Sequence, residues 1–126
     1  MQWIILIGDE TLTLDSVKNI KHHGSISCHD VQDINRHWVI YSKHGDHIYY
    51  DFVGNISDQY EKQELSGIPF DNPNFIMMVY NSKERMKQVL QQDNFLRGIY
   101  VDDDGGNILP IEDFMKLLDD PNYDVL

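Results

Sequence analysis

A chain of 126 residues with 41% hydrophobic side chains can form one domain, residues 1–126, around one core, with no need of a metal or disulfide to hold it. Against 21 acids stand 10 bases, and the formal net charge of -11 disfavours nucleic acid and anionic lipid while favouring a basic protein as partner. The single cysteine, Cys28, excludes an intramolecular disulfide, and the opening MQWIILIGDE has neither a basic start nor the length of a membrane span, so a reducing, cytoplasmic setting is expected.

Residues 3–7 form a continuous apolar run that reads as a buried strand, ended by Gly8 and Asp9. Thr13 can cap a following helix on which Leu14, Val17 and Ile20 share a side, with Leu12 and Val17 as a hydrophobic staple. Gly24 stops it, which places Lys18, Lys21, His22 and His23 in its last turns, where the helix dipole favours cations. A further strand is expected over residues 25–31.

The period then changes. Residues 38–43 and 47–53 are rich in aromatic and β-branched side chains and flank His44-Gly45-Asp46, the pattern of an antiparallel hairpin. On its second arm Ile48, Tyr50 and Phe52 point one way and Tyr49, Asp51 and Val53 the other, so one face can be wet. Residues 57–66 allow a short helix from Ser57 or Asp58, although the apolar stripe there is poor; Gly67, Pro69 and Pro73 bound a loop behind it.

Residues 75–80 are apolar without interruption and read as a central strand covered on both faces. Asn81 as N-cap with Glu84 in a capping box predicts a helix whose Met86, Val89 and Leu90 share one face, and residues 99–101 predict another strand. Strand, helix and strand in this length imply a parallel, right-handed crossover. Asp103 to Gly106 form a turn, and Pro110 opens a last helix with Ile111, Phe114, Met115 and Leu118 on one face. Pro121 ends it. The fold class is therefore α/β or α+β: one domain, a mixed sheet of five to seven strands with an antiparallel hairpin, and three to four helices packed on it.

Charge is unevenly distributed. Residues 93–126 carry nine acids and two bases, which makes the C-terminal third the most acidic surface candidate. Asp102-Asp103-Asp104-Gly105-Gly106-Asn107 departs from a calcium loop where that pattern is strict: Asn107 replaces the sixth-position glycine and Asp113 stands where a bidentate Glu belongs. Gly8-Asp9-Glu10-Thr11 lacks the glycine spacing of a nucleotide loop, and its acids repel phosphate. Neither a metal nor another cofactor is expected.

Two chemical alternatives remain. His44 and His47 bracket the hairpin turn with Asp46 and Asp51 near, a start on a metal site that lacks a third ligand. Cys28 with an imidazole makes a hydrolase nucleophile only if the base is not His29, since strand neighbours point to opposite faces; His22, His23 and His37 are the other choices.

With no assignable active site, the acidic surface and its tyrosines carry the functional reading. Tyr41, Tyr49, Tyr60, Tyr100 and Tyr123 are candidates for exposure, tyrosine is a frequent binding anchor, and carboxylates around it steer a basic partner. Tyr49, Asp51, Asp102, Asp103 and Asp104 are the candidate partner-binding residues. In its size, acidity and lack of catalytic residues the whole chain resembles the bacterial immunity proteins that neutralise secreted toxins. The resemblance implies a non-enzymatic protein that occludes a basic partner. A structural homodimer paired through an edge strand is the remaining alternative.

Overall fold

The computed structural model describes residues 2–42 and 45–124. Among these residues seven strands form one sheet: β1 (Gln2–Gly8), β2 (Ser27–Val31), β3 (Arg36–Ile40), β4 (His47–Gly54), β5 (Asn74–Tyr80), β6 (Tyr100–Asp102) and β7 (Ile108–Pro110). Four helices join them: α1 (Leu14–Lys18), α2 (Lys62–Leu65), α3 (Lys83–Leu90) and α4 (Ile111–Leu118). The strand order is β2-β3-β4-β5-β1-β6-β7, and every neighbouring pair is antiparallel. The fold is thus α+β, with helices packed on an antiparallel sheet.

The two continuous apolar runs lie side by side near the middle, β1 against β5 over seven residue pairs from Gln2↔Tyr80 to Gly8↔Asn74. Their positions explain the unbroken hydrophobicity: Ile4 and Leu6 face one core, while Ile5, Ile7 and Phe75 face another. β5 and β6 are antiparallel to β1 on its two sides, so they run in the same direction with β1 between them. The expected crossover is real in direction, but its strands do not pair, because the N-terminal apolar run takes the slot between them.

The larger core lies under α1, α3 and α4. Val39, Ile48, Tyr50, Ile76, Met78 and Val101 of the sheet meet Val17 of α1, Met86, Val89 and Leu90 of α3, and Ile111, Phe114 and Leu118 of α4. On the opposite face, residues 56–70 bring Ile56, Tyr60, Leu65, Ile68 and Phe70 over Ile5, Ile7 and Phe75. That stretch, whose helical stripe was poor, contains a 3-10 turn at Ser57–Gln59 and the single turn of α2. It covers only part of its face.

Two local expectations are corrected. α1 ends at Lys18, not near Gly24, so Lys21, His22 and His23 lie outside it. The chain leaves the helix because its polar groups are answered from the core: the His22 ring contacts the Ile20 carbonyl and the Tyr50 hydroxyl, and the Gln92 side chain holds the His23 amide and the Lys21 carbonyl. The cap of α3 is Ser82, whose hydroxyl accepts from the Arg85 amide at 3.1 Å. Asn81 serves the hairpin turn instead, accepting from the His47 amide and donating to the Gly45 carbonyl. Gly8 is required where β1 turns toward α1, since a Cβ there would lie 2.9 Å from that of Leu12.

Candidate binding face

The antiparallel register aligns side chains in rows across the sheet on the face away from the helices. One row reads His29, Trp38, Tyr49, Val79, Trp3 over β2, β3, β4, β5 and β1. Four of its five members are aromatic or imidazole rings, with Trp38 centred 4.6 Å from Tyr49 and stacked on His29 at 6.1 Å. Trp3 at the end of the row is 39% exposed. In this row His29 and Trp3 are exposed, Trp38 and Tyr49 half-buried and Val79 buried, so the row is open to solvent in part.

The next row crosses all seven strands: Val31, Arg36, Asp51, Met77, Ile5, Asp102, Ile108. Arg36 donates two hydrogen bonds to Asp51, at 2.7 and 2.9 Å, and its guanidinium lies 3.9 Å from the centre of the Tyr49 ring. Planar pairing below and ring stacking above fix one rotamer of a long side chain. Asp51 and Asp102 therefore share a face, three strand spacings or about 14 Å apart, but Asp51 is already neutralised.

At the far end of that row, α2 and the β6–β7 turn enclose a cleft of about 580 Å³ lined by Gln59, Tyr60, Gln63, Glu64, Asp102 and Asp104, among others. Among the described residues no lysine, arginine or histidine lines it. Asp102 stands in its wall, 7% exposed, accepting from the Tyr60 hydroxyl at 2.6 Å and the Asp104 amide at 2.8 Å. Burial pushes its carboxyl above the usual range against these two bonds, and the charges of Asp104 and Asp103 push the same way. Tyr60 is driven far above an ordinary phenol by burial first, then by Asp102, Glu64 and Asp104. The cleft holds more negative charge than its own residues compensate.

The three aspartates of the turn have separate fates. Asp103 faces the other way and is 2% exposed, accepting from the Tyr123 hydroxyl at 2.5 Å, the Asn107 side chain at 2.9 Å, and the Gly105 and Asn107 amides. Burial pushes its carboxyl up, but these donors outweigh that and hold it below the usual range. It organises the turn and cannot reach a partner without dismantling it. Only Asp104 is exposed, at φ 61°, with Gly106 at φ 99° completing the reversal. Of the five expected contact residues, Tyr49, Asp51 and Asp102 share the open face, Asp104 rims the cleft, and Asp103 is turned away.

Cys28, His22 and His37 line one cleft of about 300 Å³, and the other candidates are dispersed. Tyr41 is 7% exposed and belongs to the core, while Tyr49, Tyr60, Tyr100 and Tyr123 are half-buried. His44 lies outside the described residues; the His47 Nδ1 sits 2.6 Å from the Gly45 carbonyl. Among the described residues no three His, Cys, Asp or Glu side chains are placed to hold a metal ion. Cys28 is opposite Val39 and His29 opposite Trp38, on alternate faces. His37, on the Cys28 side, is 5% exposed and held by Asp30 at 2.6 Å, but no hydrogen bond joins it to the thiol. Trp3, Arg36, Trp38 and Glu64 were missed as site residues. The period-2 alternation of β3 does place Trp38 and Arg36 on one face, but only the register shows that Tyr49 and Asp51 are their neighbours.

Compared with protein-family models, with curated proteins and with solved structures, the chain has no match in any of the three.

Proposed function

We propose that this chain is a small acidic protein-binding module that occludes a basic protein, an inhibitor of immunity-protein type, and that the sheet face away from the helices is its contact surface. The observation that carries the reading is the cleft between α2 and the β6–β7 turn, where Glu64, Asp102 and Asp104 meet with no base among the described lining residues. A lysine or arginine side chain entering it would supply the missing charge and relieve the cost of keeping Asp102 ionised. The aromatic row adjoins the cleft through Met77 and Ile5, and with Arg36 of the next row it brings together Trp3, Trp38 and Tyr49, the residue types that dominate binding energy at protein interfaces.

The test uses the wild-type chain and the Glu64→Gln/Asp104→Asn double variant as baits in a bacterial lysate, with identification of retained proteins. The expected result is a basic protein held by the wild type, lost at least about tenfold with the variant, and bound at a rate that falls with salt. A partner that is acidic, or is retained equally by both baits, removes the reading. Turnover of a substrate that is abolished by Cys28→Ser would replace it with the hydrolase alternative.

A further inference from the structure

The two edges of the sheet are built differently. β7 presents three residues, Pro110 among them, and α4 follows it directly. β2 presents five, in unbroken register with β3 from Ser27↔Ile40 to Val31↔Arg36, and among the described residues no strand lies on its outer side. Proteins blunt such edges with prolines, lysines, inward-pointing charges, bulges or short strands; β2 has no proline, lysine or bulge, and its one charge, Asp30, is taken up by Lys18 at 2.8 Å and His37 at 2.6 Å. Ile26 and Ile34, which bracket it in sequence, are 59% and 50% exposed, the largest values among the exposed large apolar side chains.

We propose that the β2 edge accepts an extended segment of a basic protein as an eighth strand. The inference rests on the basic character of the partner argued above, but uses the sheet edge remote from the acidic cleft. Backbone pairing supplies the affinity in this mode of recognition, and alternate side chains supply the selectivity. On the open face an incoming residue opposite His29 extends the row that begins with the His29–Trp38 stack.

A second copy of the chain is the less suitable occupant, for two reasons. Each molecule carries a net charge of -11, so two copies repel, whereas a cationic segment is drawn in. A two-fold pairing of β2 with itself also joins the sheets edge to edge, which leaves the two aromatic rows side by side and not facing. Contact is then limited to a strand of five residues a side, against the roughly 20–30 a side of a stable interface.

The experiment titrates the intact protein with a synthetic heptapeptide of alternating valine and lysine, followed through backbone amide shifts. The comparison peptide is its alternately N-methylated twin, which has the same charge but cannot pair on one edge. The proposal expects shifts concentrated at residues 27–31, binding weakened at least about tenfold by N-methylation, and severalfold weakening in the Ile26→Lys/Ile34→Lys variant. The Glu64→Gln/Asp104→Asn variant should bind the peptide at the edge as the wild type does, which separates this proposal from the cleft reading. Equal binding of the N-methylated twin, or no shift at residues 27–31 at millimolar peptide, overturns it. Shifts confined to residues 59–67 and 102–108 overturn it while leaving the cleft standing. A dimeric mass that is lost in the Ile26→Lys/Ile34→Lys variant assigns the edge to a second copy instead.

Discussion

The two faces of the sheet handle polar groups in opposite ways. Under the helices, polar side chains that enter the core are answered from within: His22 by Tyr50, His37 by Asp30, Asp103 by Tyr123 and Asn107. Among the described residues the buried hydroxyls of Tyr41 and Tyr80, Asp46 Oδ1 and His47 Nε2 lack such a partner. On the other face, Asp102 is kept ionised only against the cost of burial, and rings that a second layer would normally cover remain partly open. A buried charge that its own protein leaves under-compensated marks the face where an outside group can lower the free energy.

The largest effects should come from the cores. Phe114 and Phe75 are both fully buried, one on each face, and truncation of either to alanine should cost about 3–5 kcal/mol in urea unfolding. They should differ in locality. Phe75→Ala should speed amide exchange in residues 56–70 beforehand, because Tyr60 stacks on Phe75 at 5.2 Å, whereas Phe114→Ala should leave that stretch unchanged. Equal exchange in the two variants would mean that the covering segment is not held by the smaller core.

Acid should expose the next difference. Burial lowers the His22 imidazole from 6.5 to about 4. The unfolded chain therefore binds a proton that the folded chain refuses, so stability is intact above about pH 6.5 and falls as the pH drops toward 4, by up to about 3 kcal/mol. Tyr50→Phe removes the donor to the His22 Nε2 and should cost a further step down, about 1–3 kcal/mol at pH 7. A flat stability profile between pH 6.5 and 4.5 would refute the buried neutral imidazole.

On the open face the changes should be smaller and of both signs. Arg36→Ala loses the stack on Tyr49 and leaves Asp51 without its base, at a cost of about 1 kcal/mol. Asp102→Asn should do the reverse, raising stability at pH 7, because the folded carboxyl prefers the proton that neutral pH removes. A clear loss in thermal unfolding with Asp102→Asn would show that its carboxylate is structural, and the cleft would then lose its claim as a binding site.

Much of the architecture was readable from local pattern. The alternation over residues 47–53 places Ile48 and Tyr50 in the core and leaves Tyr49, Asp51 and Val53 outside it, as β4 shows. The spacing of Ile111, Phe114 and Leu118 marks the buried stripe of α4. Errors arose where a local motif competed with a distant partner. Asn81 has the chemistry of an N-cap but is used 36 residues away at Gly45, and the cationic turn expected over residues 18–23 gives way to contacts with Tyr50 and Gln92.

The site was less legible for the same reason. Three consecutive aspartates look like one patch in the sequence, yet strand alternation sends Asp102 and Asp103 to opposite faces, and only Asp104 remains exposed in the turn. Periodicity and composition determined by themselves that the chain has a sheet with two central strands, a wet-faced hairpin and a large negative charge, because those follow from side chains a few residues apart. Strand order, the row that joins Asp51 to Asp102, and the cleft between α2 and the β6–β7 turn were decided only by tertiary structure. They depend on register between segments some 50 positions apart, where burial and pairing, rather than any local preference, select the neighbours.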